Sequence, residues 1–179
     1  PVTVVAAGGS PAWGSDGMIY FGRGGITYRV SAAGGDPVAV TEPADNVVQL
    51  LHDALPGGRG LLLTLGVGTP AQARIAVVGS EGGEVREILT GTMARYAETG
   101  HIVYATAGGT LMAAPFDVRR LEVTGPSVPL VEGVAVESNA TSQFALSESG
   151  TLLYGTGAGF ESELVWGSRG GLVEPIDPT

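Results

Sequence analysis

The chain has 179 residues, of which 44% are hydrophobic, and this length is sufficient for a substantial core. Its formal net charge of −9 opposes binding to a phosphate backbone and excludes nucleic acid as an expected partner. The sequence contains no Cys and no Lys, which excludes disulfides, thiolate metal sites, Schiff-base chemistry and the lysine that phosphoryl-transfer sites place on nucleotide phosphates.

Short apolar runs separated by glycine-containing turns predict four successive antiparallel sheets of four strands each. The run ITYRVS, at 26–31, has the alternation of a strand, with Ile26, Tyr28 and Val30 on one face. The predicted units span the following ranges: 10–41, 47–89, 93–131 and 142–176, with 2–5 as a spare outer strand. Together they form one predicted domain, 1–179.

The spacing of the turn glycines predicts how these units are arranged. Gly17, Gly58, Gly100 and Gly150 are separated by 41, 42 and 50 residues, and four-stranded repeats of this period are typical of β-propeller blades. Apolar residues at consecutive positions, as in 61–63, are expected when both faces of a sheet are buried. The sequence therefore predicts an all-β propeller of four four-stranded antiparallel blades.

Two points about the predicted architecture stay open: whether the ring is closed, and whether the fold is a propeller or a sandwich. Four units can close as a small propeller, or they can form an open arc that a second copy completes through its exposed blade edges, which predicts a homodimer. A β-sandwich is the alternative architecture, although its strands would alternate more regularly and its units would not repeat.

Several runs resemble known propeller families. The segment SPAWGSDG, at 10–17, resembles the repeat of TolB-type, WD-like propellers, in which an aromatic residue precedes Ser-Pro-Asp-Gly and an apolar strand. The runs GTLMAAPFD at 109–117, LEVTGP at 121–126 and LVW at 164–166, the last followed by Arg169-Gly170, are similar to propellers found C-terminal to the kinase domain in bacterial serine/threonine protein kinases.

The resemblance implies a non-catalytic module that binds a protein or small-molecule ligand as the extracytoplasmic sensor of a larger receptor kinase. Two alternatives share the propeller fold: a periplasmic TolB-like protein-interaction propeller, and the gating propeller of a prolyl-oligopeptidase-like hydrolase. No apolar run approaches the 18 to 20 residues that span a bilayer, so we expect no membrane contact by this segment and no targeting signal within it.

The two histidines are the first candidates for chemistry. His101 follows the Gly100 turn, where a surface or structural role is expected. His52 precedes Asp53 on a predicted strand, and neighbouring strand residues point to opposite faces, so the pair is not expected to act as base and orienting group. Two histidines without Cys argue against a zinc site, and no Gly-x-Ser-x-Gly elbow is present.

The remaining polar motifs also point away from catalysis. Carboxylates lie singly near turns and do not match a calcium loop; examples are Asp16, Glu81, Glu98 and Glu148. The glycine-rich segments 66–68 and 155–159 open no predicted helix, so nucleotide loops are not expected. We predict no catalytic, cofactor-binding or metal-binding residues and no cofactor.

Two further motifs have structural interpretations. The triplet Asn139-Ala140-Thr141 matches a glycosylation sequon, which we interpret as a chance match. Trp13 and Trp166 each lie near a predicted strand, and we expect both to be buried anchors of the core or of a blade interface.

Overall fold

The computed structural model describes residues 9–66, 68–147, 149–157, 165–167 and 173–175. These residues form 17 β-strands and two short 3-10 turns, and they contain no α-helix. All strand pairings among them are antiparallel. The predicted all-β class is confirmed for this part of the chain. The predicted spare strand at 2–5 and the side chain of Trp166 lie outside it.

The first sheet has the strand order β1-β2-β3-β4. Its strands are β1 (Gly9–Trp13), β2 (Met18–Arg23), β3 (Ile26–Ser31) and β4 (Val38–Ala39). The turn between β1 and β2 contains Gly17, whose φ of 76° favours glycine. Asp16 stabilises this turn because its Oδ1 accepts a hydrogen bond of 3.0 Å from the Met18 amide.

The second sheet repeats the same order, β5-β6-β7-β8. Its strands are β5 (Val48–Ala54), β6 (Gly60–Gly66), β7 (Arg74–Gly79) and β8 (Arg86–Thr90). A 3-10 turn at Pro56–Gly58 connects β5 to β6, and another at Pro70–Gln72 precedes β7.

The third sheet has five strands because its outer edge is divided. Its strands are β9 (Ala94–Ala97), β10 (His101–Ala105), β11 (Leu111–Asp117), β12 (Glu122–Val123) and β13 (Val128–Val131). Both β12 and β13 pair with β11, at successive parts of its length. The predicted connection at 117–126 therefore turns back after β11 and pairs with its end through β12.

The last strands form two hairpins. They are β14 (Phe144–Leu146) with β15 (Leu152–Tyr154), and β16 (Val165–Gly167) with β17 (Val173–Pro175). Among the described strands, β15 and β16 do not pair, so a single four-stranded sheet over 142–176 is not observed there. The count of four complete blades stays a prediction.

Each sheet packs face to face on the next through a separate apolar cluster. Leu61 and Leu63 of β6 lie in the cluster that joins the second sheet to Tyr20 of the first. Leu62, between them, lies in the cluster that joins the second sheet to Ile102 of the third. Because neighbouring strand residues point to opposite faces, consecutive leucines contact different sheets. This confirms the expected burial of both faces of β6.

The third sheet contacts the β14–β15 hairpin in the same way. Val103, Ala105 and Leu111 pack with Phe144 and Val134 in a third cluster. Ile102 and Tyr104, on the opposite face of β10, belong to the cluster shared with the second sheet. The third sheet is therefore also covered on both faces.

The first strands of successive sheets lie side by side. Strand β5 contacts β1 and β9, and β9 contacts β14. Hydrogen bonds link the sheets at other points: the Gly57 amide donates to Ser15 Oγ at 2.8 Å, and Thr92 Oγ1 lies 2.6 Å from Ser142 Oγ. Sheets stacked in chain order, with their first strands adjacent, have the arrangement of propeller blades.

Candidate binding site at the first strands

A cavity of about 690 Å³ lies where the first strands converge. Its walls come from β1, β5 and β9, from the connection between β6 and β7 and from the segment before β14. Its apolar lining includes Val48, Leu50, Leu51, Met93 and Ala140. Its polar lining includes His52, Thr69, Arg95, Asn139 and Thr141. We refer to it below as the large cavity.

A second opening lies toward the other ends of these strands. It has a volume of about 340 Å³ and is lined by Trp13, Asp53, Tyr96 and Leu146, among others. Arg95 lines both openings. The large cavity is lined by the first part of β5 and the second opening by its end, so Arg95 lies between the two.

A β-bulge at His52 shapes the wall of the large cavity. Leu51 pairs with Leu63 and Asp53 pairs with Leu62, so β5 has one residue more than β6 at this point. A bulge interrupts the regular alternation of side chains, and the positions of His52 and Asp53 cannot be deduced from their spacing.

Both side chains lie toward the third sheet. His52 Nε2 lies 2.8 Å from Thr64 Oγ1, and that hydroxyl donates to the Thr92 carbonyl at 2.9 Å. Asp53 Oδ2 accepts a hydrogen bond of 2.9 Å from the Tyr96 amide. The prediction that His52 and Asp53 point to opposite faces is wrong, because the bulge places both against the sheet that follows.

These contacts also determine the protonation of His52. Since the Thr64 hydroxyl donates to a carbonyl, its oxygen is the acceptor for an Nε2–H of the imidazole. Burial lowers the pKa of His52 to about 4, with the charge of Arg95 as a further cause. His52 is therefore neutral at pH 7. Burial also raises the pKa of Asp53.

Arg95 is anchored at its guanidinium, where Nη1 donates a hydrogen bond to the His52 carbonyl. Asn139, on the opposite wall, lies in a turn in which its Oδ1 accepts a hydrogen bond of 3.0 Å from the Thr141 amide. Neither Arg95 nor the side chain of Asn139 was predicted from the sequence to be a binding residue. The only local signal was an Arg within the apolar first strand of a repeat.

Trp13 is not buried, in contrast to its prediction as a core or interface anchor. It is 72% exposed and pairs with Ile19, whereas its neighbour Ala12 packs toward the second sheet. Alternation along β1 therefore directs Trp13 to the other face, beside the second opening.

The other predicted motifs lie away from the large cavity or serve local structure. His101 begins β10, and its Nδ1 lies 3.1 Å from the Thr99 carbonyl. Asp16 Oδ2 accepts a hydrogen bond from the Tyr20 hydroxyl, and Glu81 forms an ion pair with Arg29. Glu148 lies outside the described residues.

Three other expectations concern metals, nucleotides and membranes. No group of three or more His, Asp or Glu converges within the described ranges. The described parts of the glycine-rich segments, 66–68 and 155–159, open no α-helix. In the part of the chain that the structure covers, no helix has the length and hydropathy of a membrane span.

Comparison with known proteins supports the fold. Regucalcin from Agrobacterium tumefaciens, a calcium-binding protein with a β-propeller fold, is 14% identical with a TM-score of 0.58. The match covers 93% of this chain and 58% of regucalcin. A protein of unknown function from Bacteroides caccae is 16% identical over 79% of this chain and 50% of its own, with a TM-score of 0.44.

The chain spans little more than half the length of regucalcin. No model of a protein family matches this sequence, and no curated protein matches it. A likeness at 14% identity shows the fold alone, which is an all-β arrangement like that of a propeller.

Proposed function

We propose that this chain is a non-catalytic binding module, forming part of a β-propeller, that takes a small ligand in the large cavity. The observation that carries this proposal is a cavity built from the first strands of successive sheets, which lie next to the axis of a propeller. Its volume of about 690 Å³ falls within the range of about 300 to 1,000 Å³ that small-molecule sites occupy.

We further propose that the module is the extracytoplasmic sensor of a bacterial receptor serine/threonine kinase. The support for this is the likeness of 109–117 and 121–126 to the propellers attached to such kinases. These residues form β11 and β12 with the residues next to them, and the two strands pair with each other in the third sheet.

We propose that the described sheets form part of a larger ring rather than a closed ring of four blades. The 58% of regucalcin that the match covers corresponds to between three and four blades of a six-bladed ring. We propose that further blades of the same protein, or a second copy of this chain, complete it. Light scattering of residues 1–179 at micromolar concentration separates the two, since only the second predicts a dimer.

One observation favours a second function, that of a TolB-like propeller that docks other proteins. Leu153 on the β14–β15 hairpin is 72% exposed, and Tyr154, its neighbour in sequence, is also exposed. Exposed apolar side chains on a hairpin suit a protein surface better than a small ligand.

The three methionines provide the test of the small-ligand proposal. Met93 lines the large cavity, whereas Met18 and Met112 do not. We would label the methionine methyl groups with carbon-13 and screen a library of small polar and apolar metabolites by NMR. The expected result is at least one compound that shifts the Met93 signal and leaves the other two unchanged.

A variant makes the screen specific to the cavity. Leu50→Trp fills the large cavity and should abolish the Met93 shift, whereas Val128→Trp, at an exposed position on β13, should preserve it. A screen in which no compound shifts Met93, or in which all three signals always shift together, contradicts the proposed binding function.

A further inference from the structure

We infer that the large cavity binds a carboxylate joined to an apolar body, and that Arg95 is the residue that binds the carboxylate. This inference rests on the proposed function, because it assigns a ligand class to the same cavity. It concerns the charge of the ligand, which the volume of the cavity does not determine.

The charge of the cavity differs from that of the chain. The protein has 18 acidic residues and a net charge of −9, yet no Asp or Glu is among the described residues that line the large cavity. Arg95 is the one cationic group in that lining, because His52 is neutral at pH 7. A lone cation in an acid-free cavity attracts an anion and disfavours a cation.

Arg95 also has hydrogen-bonding capacity for a ligand. Its side chain donates to the His52 carbonyl and forms no ion pair within the described part of the chain. A guanidinium has five N–H groups in a planar fork that matches a carboxylate. The bond to the backbone fixes one arm of the fork and leaves other donors for a ligand.

The two acidic residues that share a lining with Arg95, Asp53 and Glu98, belong to the second opening. Asp53 lines the second opening, where its Oδ2 accepts the hydrogen bond of the Tyr96 amide. It is absent from the lining of the large cavity. Neither carboxylate lines the large cavity, so a ligand anion bound there has no acidic neighbour in that lining.

The remaining walls define the rest of the ligand. Val48, Leu50, Leu51 and Met93 offer an apolar surface that suits a hydrocarbon or aromatic body. Asn139 keeps its amide N–H groups for a polar substituent, because its Oδ1 already accepts the Thr141 amide. The combination is that of a site with one charged anchor and an apolar wall.

Two matched probes test the inference: 4-phenylbutyrate, and 4-phenylbutyramide, which has the same body without the charge. Binding is followed by titration of the Met93 methyl signal. We expect the carboxylate to bind at least about tenfold more tightly than the amide, as charge-assisted hydrogen bonds are about twice as strong as neutral ones. Added NaCl should weaken binding of the carboxylate and leave that of the amide unchanged.

Variants locate the effect. Arg95→Met should reduce the affinity for 4-phenylbutyrate about tenfold or more, so that it equals the affinity for 4-phenylbutyramide. The affinity for the amide should not change. Arg119→Met removes the same charge from an exposed position outside the cavity and should leave both affinities as they are. If Arg95→Met does not fold, two other measurements test the role of Arg95: the carboxylate affinity of Arg95→Lys and the salt titration of the wild type.

The outcomes separate this inference from the function on which it rests. Equal affinities for the two probes, an equal effect of Arg119→Met, or no binding of either probe overturns the assignment of a carboxylate ligand. The proposed binding function survives any of these results if another compound in the library shifts Met93, and it fails only if none does.

Discussion

Acidification should destabilise the fold through His52. The imidazole is partly buried, and its pKa falls from the usual value of 6.5 to about 4 in the folded protein. As the pH falls below 6.5, the unfolded chain binds a proton that the folded chain does not. The contribution of the neutral His52 to the free energy of unfolding is therefore complete above pH 6.5 and is lost progressively toward pH 4. One pKa unit corresponds to about 1.4 kcal/mol, which gives a loss of about 3 kcal/mol.

The matched control is His52→Gln, whose amide N–H can donate to Thr64 Oγ1 in place of the imidazole. Burial raises the pKa of Asp53, so its protonation favours the folded state on acidification and opposes the effect of His52. Asp53 is present in both proteins, and the difference between them isolates His52.

The assay is urea denaturation at pH 7 and pH 4, followed by circular dichroism. The free energy of unfolding of the wild type should fall by about 3 kcal/mol more than that of the variant. Equal losses in the two proteins would contradict a neutral imidazole at this position.

Three further predictions concern stability and can be checked by urea denaturation. Leu62→Ala removes a fully buried side chain between the second and third sheets and should destabilise the fold by about 2 to 5 kcal/mol. Trp13→Ala, at an exposed position, should destabilise it by less than about 1 kcal/mol. A larger loss for Trp13→Ala would mean that Trp13 lies in the core. Gly109→Ala should destabilise the fold more than Gly100→Ala, although both glycines have φ near 80°. An added Cβ would lie 2.4 Å from the Val134 carbonyl oxygen at Gly109 and would meet nothing at Gly100. Equal losses of stability would mean that backbone strain alone determines the effect of both substitutions. Tyr20→Phe removes the hydroxyl that donates to Asp16 and should cost about 1 kcal/mol, and no cost would show that water replaces this bond.

The turns and strands of the first three sheets were predictable because their signals are local. Gly17 and Gly100 occupy turn positions with positive φ, which is why glycine recurs there in the sequence. The consecutive leucines at 61–63 indicated burial on both faces, and Leu61 and Leu62 do pack against different sheets.

The errors arose where tertiary structure overrides a local pattern. The sequence of β5 does not reveal the bulge at His52, which depends on pairing with β6. The exposure of Trp13 depends on which face of β1 has a neighbouring sheet, and the sequence of β1 does not show this. The large cavity combines Leu50, Arg95 and Asn139, which are more than 40 residues apart in sequence, so no local motif could have indicated it.

The central claim is that the sheets stack in chain order with the second sheet buried on both faces, and the most direct measurement is a methyl NOE spectrum. Leu61 should show contacts to Val40 of the first sheet and Leu62 to Ile102 of the third. Finding both sets of contacts supports the propeller arrangement. If either leucine shows contacts only within its own sheet, one face of the second sheet is uncovered and the account is wrong.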